Sequence, residues 1–431
     1  MGATAKLERD DTPRGDAIAD NGVLRFITAG SVDDGKSTLI GRLLHDTQAI
    51  LEDQLSAVER ASSRRGAGGL DLSLLTDGLE AEREQGITID VAYRYFATPK
   101  RKFIIADTPG HEQYTRNMVT GASTANAAVI LIDARKGVLP QTRRHTYIAH
   151  LLGVQHVIVA VNKMDLIDYS RERFEAIRDE FCRFADALRI SDLRFVPVSA
   201  LSGDLVVERS AGMPWYEGPT LLETLEAIEP RDETEHAPLR FPVQLVVRPG
   251  AGTDFRGYAG RIESGVLVRG SEVLVMPVER RTTIRDIFTF EGSRKIAVAG
   301  DAVTLLLEGE IDISRGDMIA DPAQPPRADK NLVATVCWLA AEPMQPAGRY
   351  LLKQTTRSVK ARLAAIDYRV DIHTLAQQPA PAALAMNDIA QVRLALQQPV
   401  FADPYAANRA TGAFILIDEV TNQTVAAGMI E

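Results

Sequence analysis

The stretch Gly30-Ser31-Val32-Asp33-Asp34-Gly35-Lys36-Ser37-Thr38 decides how the rest of the chain is read. It has the spacing G-x-x-x-x-G-K-[ST], with the apolar run LRFITA before it and the helix-forming TLIGRLL after it. Gly30 and Gly35 let the backbone fold tightly enough for successive N–H groups to face phosphate oxygens. The N-terminus of the following helix adds its dipole. Lys36 then neutralises phosphate charge, and the Ser37 hydroxyl is placed to ligate Mg2+.

Three further motifs follow in order, each after an apolar run. Asp107-Thr108-Pro109-Gly110-His111 follows KFIIA and supplies an acid for the magnesium, through water, and a glycine N–H for a γ-phosphate. Asn162-Lys163-Met164-Asp165 follows VIVAV. A carboxylate at Asp165 accepts two parallel hydrogen bonds, which N1–H and the 2-amino group of guanine offer and adenine does not. Ser199-Ala200-Leu201, within VSAL, can close over the base with backbone N–H groups.

The apolar runs LRFITA, KFIIADT, AAVILIDA, HVIVAVNK and RFVPVSA alternate with amphipathic segments such as SRERFEAIRDEFCRFADALR. That alternation predicts a mostly parallel sheet covered on both faces, with ligands at the carboxyl ends of its strands. Residues 23–230 therefore read as an α/β P-loop domain that takes GTP and Mg2+. Between the phosphate loop and Asp107 lies Glu80–Asp90, EAEREQGITID. An Arg/Glu-rich helix running into Gly86-Ile87-Thr88 suits a segment that orders when Thr88 ligates magnesium.

The pattern changes near Pro230, where RDETEHAP reads as a linker. Short alternating runs with frequent glycine then predict an antiparallel β-barrel over 239–322. DPAQPPRAD reads as a second linker, and NLVATVCWLA, SVKARLAAIDYRVD and GAFILIDE predict a second β-barrel over 330–431. Residues 1–22, polar and Gly/Asp-rich, read as a disordered lead-in.

Composition sets outer limits. With 431 residues, 45% hydrophobic and 25% charged, the chain reads as a soluble protein of two to three domains. The longest clean apolar stretch, NAAVILIDA, is far short of the roughly 20 residues that span a bilayer. No secretory signal opens the chain, and Cys182 and Cys337 form no metal-spaced pair; both features predict a reducing cytoplasm. A net charge of −9 leans away from nucleic acid as the main ligand.

EREQGITID and DTPGHEQYTRNMVTGAS resemble the translation-factor class of GTPases, and RGYAGRIESG resembles the first β-barrel of that class. The resemblance covers the whole chain and implies a GTPase domain followed by two β-barrels. It implies nucleotide-binding roles for Gly30, Lys36, Ser37, Thr88, Asp107, Gly110, Asn162, Lys163, Asp165 and Ser199 to Leu201. His111 matches the residue that positions the attacking water. Translation elongation factors typically carry GHVDHGKS, whereas this chain has Ser31 and Asp34 in place of the two histidines.

GSVDDGKSTLIGRLLHDT, DGLEAEREQGITIDVAYRYF and YLLKQTTRSVKARL are similar instead to the GTPase subunits of bacterial sulfate adenylyltransferase. That likeness implies coupling of GTP hydrolysis to formation of adenosine 5′-phosphosulfate, in sulfate assimilation and cysteine biosynthesis. ATP and sulfate would then bind a small catalytic partner subunit. Some relatives carry a fused kinase with its own phosphate loop; with no second GxxxxGK[ST], that activity is expected to be absent.

The alternative is an aminoacyl-tRNA carrier, for which Lys360, Arg362 and Arg369 could touch phosphates, although a solvated strand face suits them better. His145, His150 and His156 have no metal spacing and are expected on a helix surface or interface, while Trp215 reads as a packing residue.

Overall fold

The computed structural model describes residues 22–50, 53, 55, 56, 58, 60, 62, 72–75, 90–111, 114–229, 234, 236–248, 256–345 and 348–431. Its first sheet contains β1 (Val23–Ala29), β2 (Ala92–Ala97), β3 (Lys102–Asp107), β4 (Ala127–Asp133), β5 (His156–Asn162) and β6 (Asp192–Pro197). The order is β2-β3-β1-β4-β5-β6, with β2 antiparallel to β3 and every other pairing parallel. Every residue of β4 is buried, as expected for a strand covered on both faces. The strand order reverses around β1, so the loop after β1 opens at a topological switch point.

Helix α1 (Lys36–Asp46) follows Gly35, which adopts a left-handed conformation (φ 93°). No side chain caps its first turn, which leaves those N–H groups for a ligand. Helices α2 (Thr115–Ala122), α3 (Pro140–Leu151) and α4 (Arg171–Ala185) pack against the sheet, and a short α5 (Leu221–Glu226) ends this part. The Ser170 hydroxyl accepts the Arg173 N–H to start α4, and Thr220 with Glu223 forms a capping box on α5.

Cover of one sheet face stops short at β2. Tyr93 and Tyr95 are 42% and 66% exposed there. The cause is the connection: β2 turns directly into β3 through residues 98–101, and a hairpin lays no helix on the sheet.

The second sheet is built from β7 (Arg240–Val247), β8 (Gly257–Arg261), β10 (Glu272–Met276), β11 (Arg280–Thr289), β14 (Ala302–Leu307) and β15 (Met318–Ala320). Pairing of β10 with β11 closes these six into a barrel. The short β12 (Gly292–Arg294) extends β11, and β9 (Val266–Val268) pairs with β13 (Ile296–Val298). The third sheet holds β16 (Arg327–Trp338), β17 (Arg349–Gln354), β18 (Arg357–Val370), β20 (Ile389–Ala402), β21 (Ala413–Asp418) and β22 (Thr424–Ile430). Pairing of β17 with β18 closes this barrel too, with β19 (Gln377–Pro379) attached at its rim. Strand β16 begins at Arg327, inside the stretch expected to be a linker.

The parts are locked together. Arg240 forms a bidentate ion pair with Asp403, both contacts at 2.8 Å, and joins the two barrels. Removing one partner of so buried a pair costs about 3–5 kcal/mol. A four-residue helix, α6 (Arg409–Gly412), sits beside this joint, started by the Asn408 side chain. Cys337, Ile389 and Met429 of the last barrel belong to the same apolar cluster as the first sheet.

Candidate functional site

The phosphate loop is held from several sides. The Lys36 ammonium donates to Gly30 O (3.1 Å) and Ser31 O (2.8 Å). Burial lowers its pKa, opposed by the carboxylates of Asp107 and Asp34. The Ser31 N–H donates to Asp34 Oδ2 (2.6 Å), so Asp34 pins the loop from inside. The other oxygen, Asp34 Oδ1, is buried without a hydrogen-bond partner, and burial raises this carboxyl's pKa. Gly35 must lack a side chain, because a Cβ there would lie 2.5 Å from Asn162 Nδ2. Val32, Asp33, Ser37 and Thr38 lie in the same turn and the start of α1.

The end of β3 delivers Asp107 alongside. It is 1% exposed, and Oδ1 accepts the Thr28 hydroxyl at 3.1 Å. Thr108 donates its hydroxyl to Thr28 O (2.6 Å), which ties the start of the second motif to β1. A Cβ on Gly110 would lie 2.4 Å from Lys36 Nζ, so the two motifs abut with no space between them. Pro109 is buried, while His111 is exposed with its ring 6.0 Å from that of Tyr114. Thr88, with the rest of 76–89, lies outside the described residues.

At the base end, Asn162 ties three motifs together. Its Nδ2 donates to Asp34 O (2.8 Å) and its Oδ1 accepts the Ala200 N–H (3.0 Å). The Ser199 hydroxyl donates to Asp165 Oδ1 (2.6 Å), orienting a half-buried carboxylate. The Lys163 ammonium reaches Asp33 O and Asp133 Oδ2, the latter at 3.1 Å. Burial works against the charged form of Asp133, but hydrogen bonds from Arg135 and Lys163 outweigh it and hold its pKa well below the usual carboxylate range. Met164 is buried beneath the loop, and Leu201 stands 67% exposed at the rim.

Two supporting residues do not stand out in the sequence. Arg42, on α1, donates to Ala200 O (3.2 Å) and Leu201 O (2.6 Å) and props the last loop. His145, expected on a helix surface or interface, is fully buried, and its Nδ1 accepts the Gly30 N–H at 3.1 Å. Burial, then Lys36 and Arg144, lowers its pKa to about 3, so the ring is neutral and Nδ1 remains an acceptor. Its signal was the buried stripe Thr142, His145, Thr146, Ala149 at helical spacing on α3. His156 is also engaged, with Asp192 Oδ2 at 2.7 Å. Trp215 packs on Phe174 (ring centroids 5.5 Å apart) and donates to Tyr169 O, as a packing residue should.

The arrangement offers uncapped helix N–H groups, a buried ammonium, a buried carboxylate with hard oxygen donors, and an oriented carboxylate at the far end. Such a groove suits a purine nucleoside triphosphate with its divalent cation.

Comparison with known proteins supports the GTP-binding part of that reading. The family model for the elongation factor Tu GTP binding domain matches residues 21–231. That for elongation factor Tu domain 2 matches 258–320, and the GTP-eEF1A C-terminal domain-like model matches 331–431. "Sulfate adenylyltransferase subunit 1" of Cronobacter sakazakii is 55% identical over 95% of this chain and 86% of its own length. "Bifunctional enzyme CysN/CysC" of Rhodopirellula baltica and of Mycobacterium tuberculosis are each 54% identical over 95% of this chain. The chain spans 63% and 67% of the length of those two relatives.

Proposed function

The chain belongs to the sulfate adenylyltransferase subunit 1 family, and from that premise we propose that it binds and hydrolyses GTP to drive sulfate activation. In that reaction sulfate displaces pyrophosphate from ATP and forms adenosine 5′-phosphosulfate. The mixed anhydride is strongly uphill, and GTP hydrolysis supplies the drive by switching the conformation of a partner subunit. ATP and sulfate bind that partner, the small catalytic subunit, in a heterodimer or higher assembly. The operational units of this chain are 23–230, 239–322 and 330–431.

Asp165 reads the guanine N1–H and 2-amino group, while Ser199 holds its other lone pairs in place. The N–H groups of 31–38 and the Lys36 ammonium take the phosphates. Ser37, Thr88 and Asp107 are the residues that would hold Mg2+, and the buried Asp107 carboxylate, facing Lys36, fits a hard cation. The ion would supply charge neutralisation to the phosphates. His111 orients the attacking water, and its exposure leaves room for that water at the γ end. A cytoplasmic location goes with this reading, and both described thiols are free. No helix among the described residues is long and apolar enough to cross a membrane.

A tRNA-carrying role draws less support. Lys360 pairs with Glu419 (3.4 Å) and Arg369 with Asp388 (3.5 Å), so neither stands ready for a phosphate backbone. The observation that carries the main reading is the likeness to subunit 1 along 95% of the chain. The test is the GTPase rate under two additions: the small subunit with ATP and sulfate, or ribosomes with aminoacyl-tRNA. Acceleration by the first, with matching sulfate-dependent pyrophosphate release, is expected. Acceleration by the second alone would overturn the coupling role.

A further inference from the structure

The sheet face left open at β2 lies beside the part of the molecule that must respond to the γ-phosphate. Across it run two rows of side chains. Tyr95 is opposite Ile104, which is opposite Arg25, and Tyr93 is opposite Ala106, which is opposite Ile27. Helix α2 covers the second row, where Gly121 sits 3.6 Å, measured from an added Cβ, from Ala106 Cβ. Among the described residues nothing covers the first row, and a cavity of about 320 Å³ opens there, lined by Tyr93, Tyr95, Arg25, Ile104, Gly121 and Ala125.

Both walls of this cavity are tied to the nucleotide. The strand carrying the tyrosines starts at Ala92, the register partner of Asp107. The other wall, α2, begins four residues after His111, and a Cβ on Gly121 would lie 2.9 Å from the Thr108 methyl. A shift of Asp107–Gly110 with the γ-phosphate therefore changes the width of the cavity. A partner can be driven by hydrolysis only if it binds the two nucleotide states differently, and a face whose walls abut Asp107 and Thr108 is placed to differ between them.

The chemistry of the face narrows the occupant. Tyrosines bury a large apolar area while keeping a polar tip, which favours protein interfaces. Arg25 and Lys102 are exposed on the same face, and among the described residues neither has an ion-pair partner. On a chain of net charge −9, this is a cationic edge around an aromatic centre. It complements a protein segment with an apolar side chain flanked by carboxylates.

We propose that the Tyr93–Tyr95–Arg25 face is the docking surface through which the companion subunit senses the nucleotide. The proposal rests on the subunit reading above. The experiment uses the full chain and the companion subunit, with binding measured by calorimetry in the presence of a non-hydrolysable GTP analogue. Tyr95→Asp and Arg25→Glu should each weaken the complex at least tenfold, and Tyr95→Phe should not; GTP affinity of the chain alone should stay within twofold.

A photo-crosslinking amino acid at Tyr95 should attach to the companion subunit. Attachment to a second copy of the chain, or to its own residues 1–21, would overturn the proposal. Unchanged companion binding in both charged variants would overturn it while leaving the subunit reading intact. A wild-type chain that does not bind the companion at all would sink both.

Discussion

The two ends of the nucleotide groove are built differently. At the base end the recognition groups already hold one another: Asn162 bridges the first and last motifs, Ser199 holds Asp165, and Arg42 props the rim. At the phosphate end Lys36 donates to its own loop's carbonyls, and one oxygen of Asp34 lies buried without a partner. A recognition site that must be the same in every nucleotide state gains from preorganisation. A site that must tell three phosphates from two gains from groups whose partners can be exchanged. On the proposed assignment, the difference teaches that guanine would be read by a preorganised template and the phosphates by groups whose present partners are exchangeable.

The sharpest way to break that comparison is at Asp165. Asp165→Asn should reverse the hydrogen-bonding sense and change the preference for GTP over xanthosine triphosphate by about 10³-fold. Competition binding with both nucleotides would show it, and an unchanged ratio would remove Asp165 from base recognition. Next in size, His111→Ala should slow single-turnover hydrolysis by about 10²-fold while GTP affinity moves little. An equal loss in both would make His111 a binding residue.

Asn162→Ala tests the bridge itself. It removes two hydrogen bonds of 2.8 and 3.0 Å, and GTP should bind on the order of tenfold more weakly, the equivalent of about 1–1.5 kcal/mol. If the phosphate end alone were organised by the ligand, xanthosine and guanosine nucleotides would lose equally. The last test concerns pH. Because burial lowers the His145 pKa from 6.5 to about 3, an unfolded chain takes up a proton there that the folded one refuses. The stability this group contributes is full above pH 6.5 and is lost as the pH falls toward 3, by up to about 1.4 kcal/mol per unit. Denaturant titrations between about pH 7 and 4.5 should show that slope in the wild type and a shallower one in His145→Gln.

The four nucleotide motifs were legible because each is a contiguous run whose residue types dictate a local backbone and a local chemistry. Gly35 beside Asn162 and Gly110 beside Lys36 have no room for a side chain, and such glycines leave their mark in the sequence. Residues that act across the fold left weaker marks. His145 reaches a backbone N–H 115 residues away, and Arg42 reaches a carbonyl 158 residues away. Such separations carry no local pattern beyond the buried stripe of a helix. The β-rich regions were readable from alternation, but closure of each barrel depends on pairings such as β17 with β18 and β10 with β11, and on what lies between them. The open face at β2 followed from a hairpin standing where alternating strands and helices suggested cover on both sides.

Helix α3 has a consequence of another kind. Midway along it His145 grips the first glycine of the phosphate loop. At its far end Leu152 O accepts the Tyr405 hydroxyl (2.9 Å), and Gly153 lies against the Arg409 guanidinium. Twelve helical residues make a rod about 18 Å long, stiff on the scale of these contacts. A rod pinned at one end and loaded at its middle behaves as a lever, with the C-terminal barrel as its fulcrum. A small rotation of that barrel would be carried to Gly30, so the part of the molecule farthest in sequence from the phosphate loop is placed to have mechanical leverage over it.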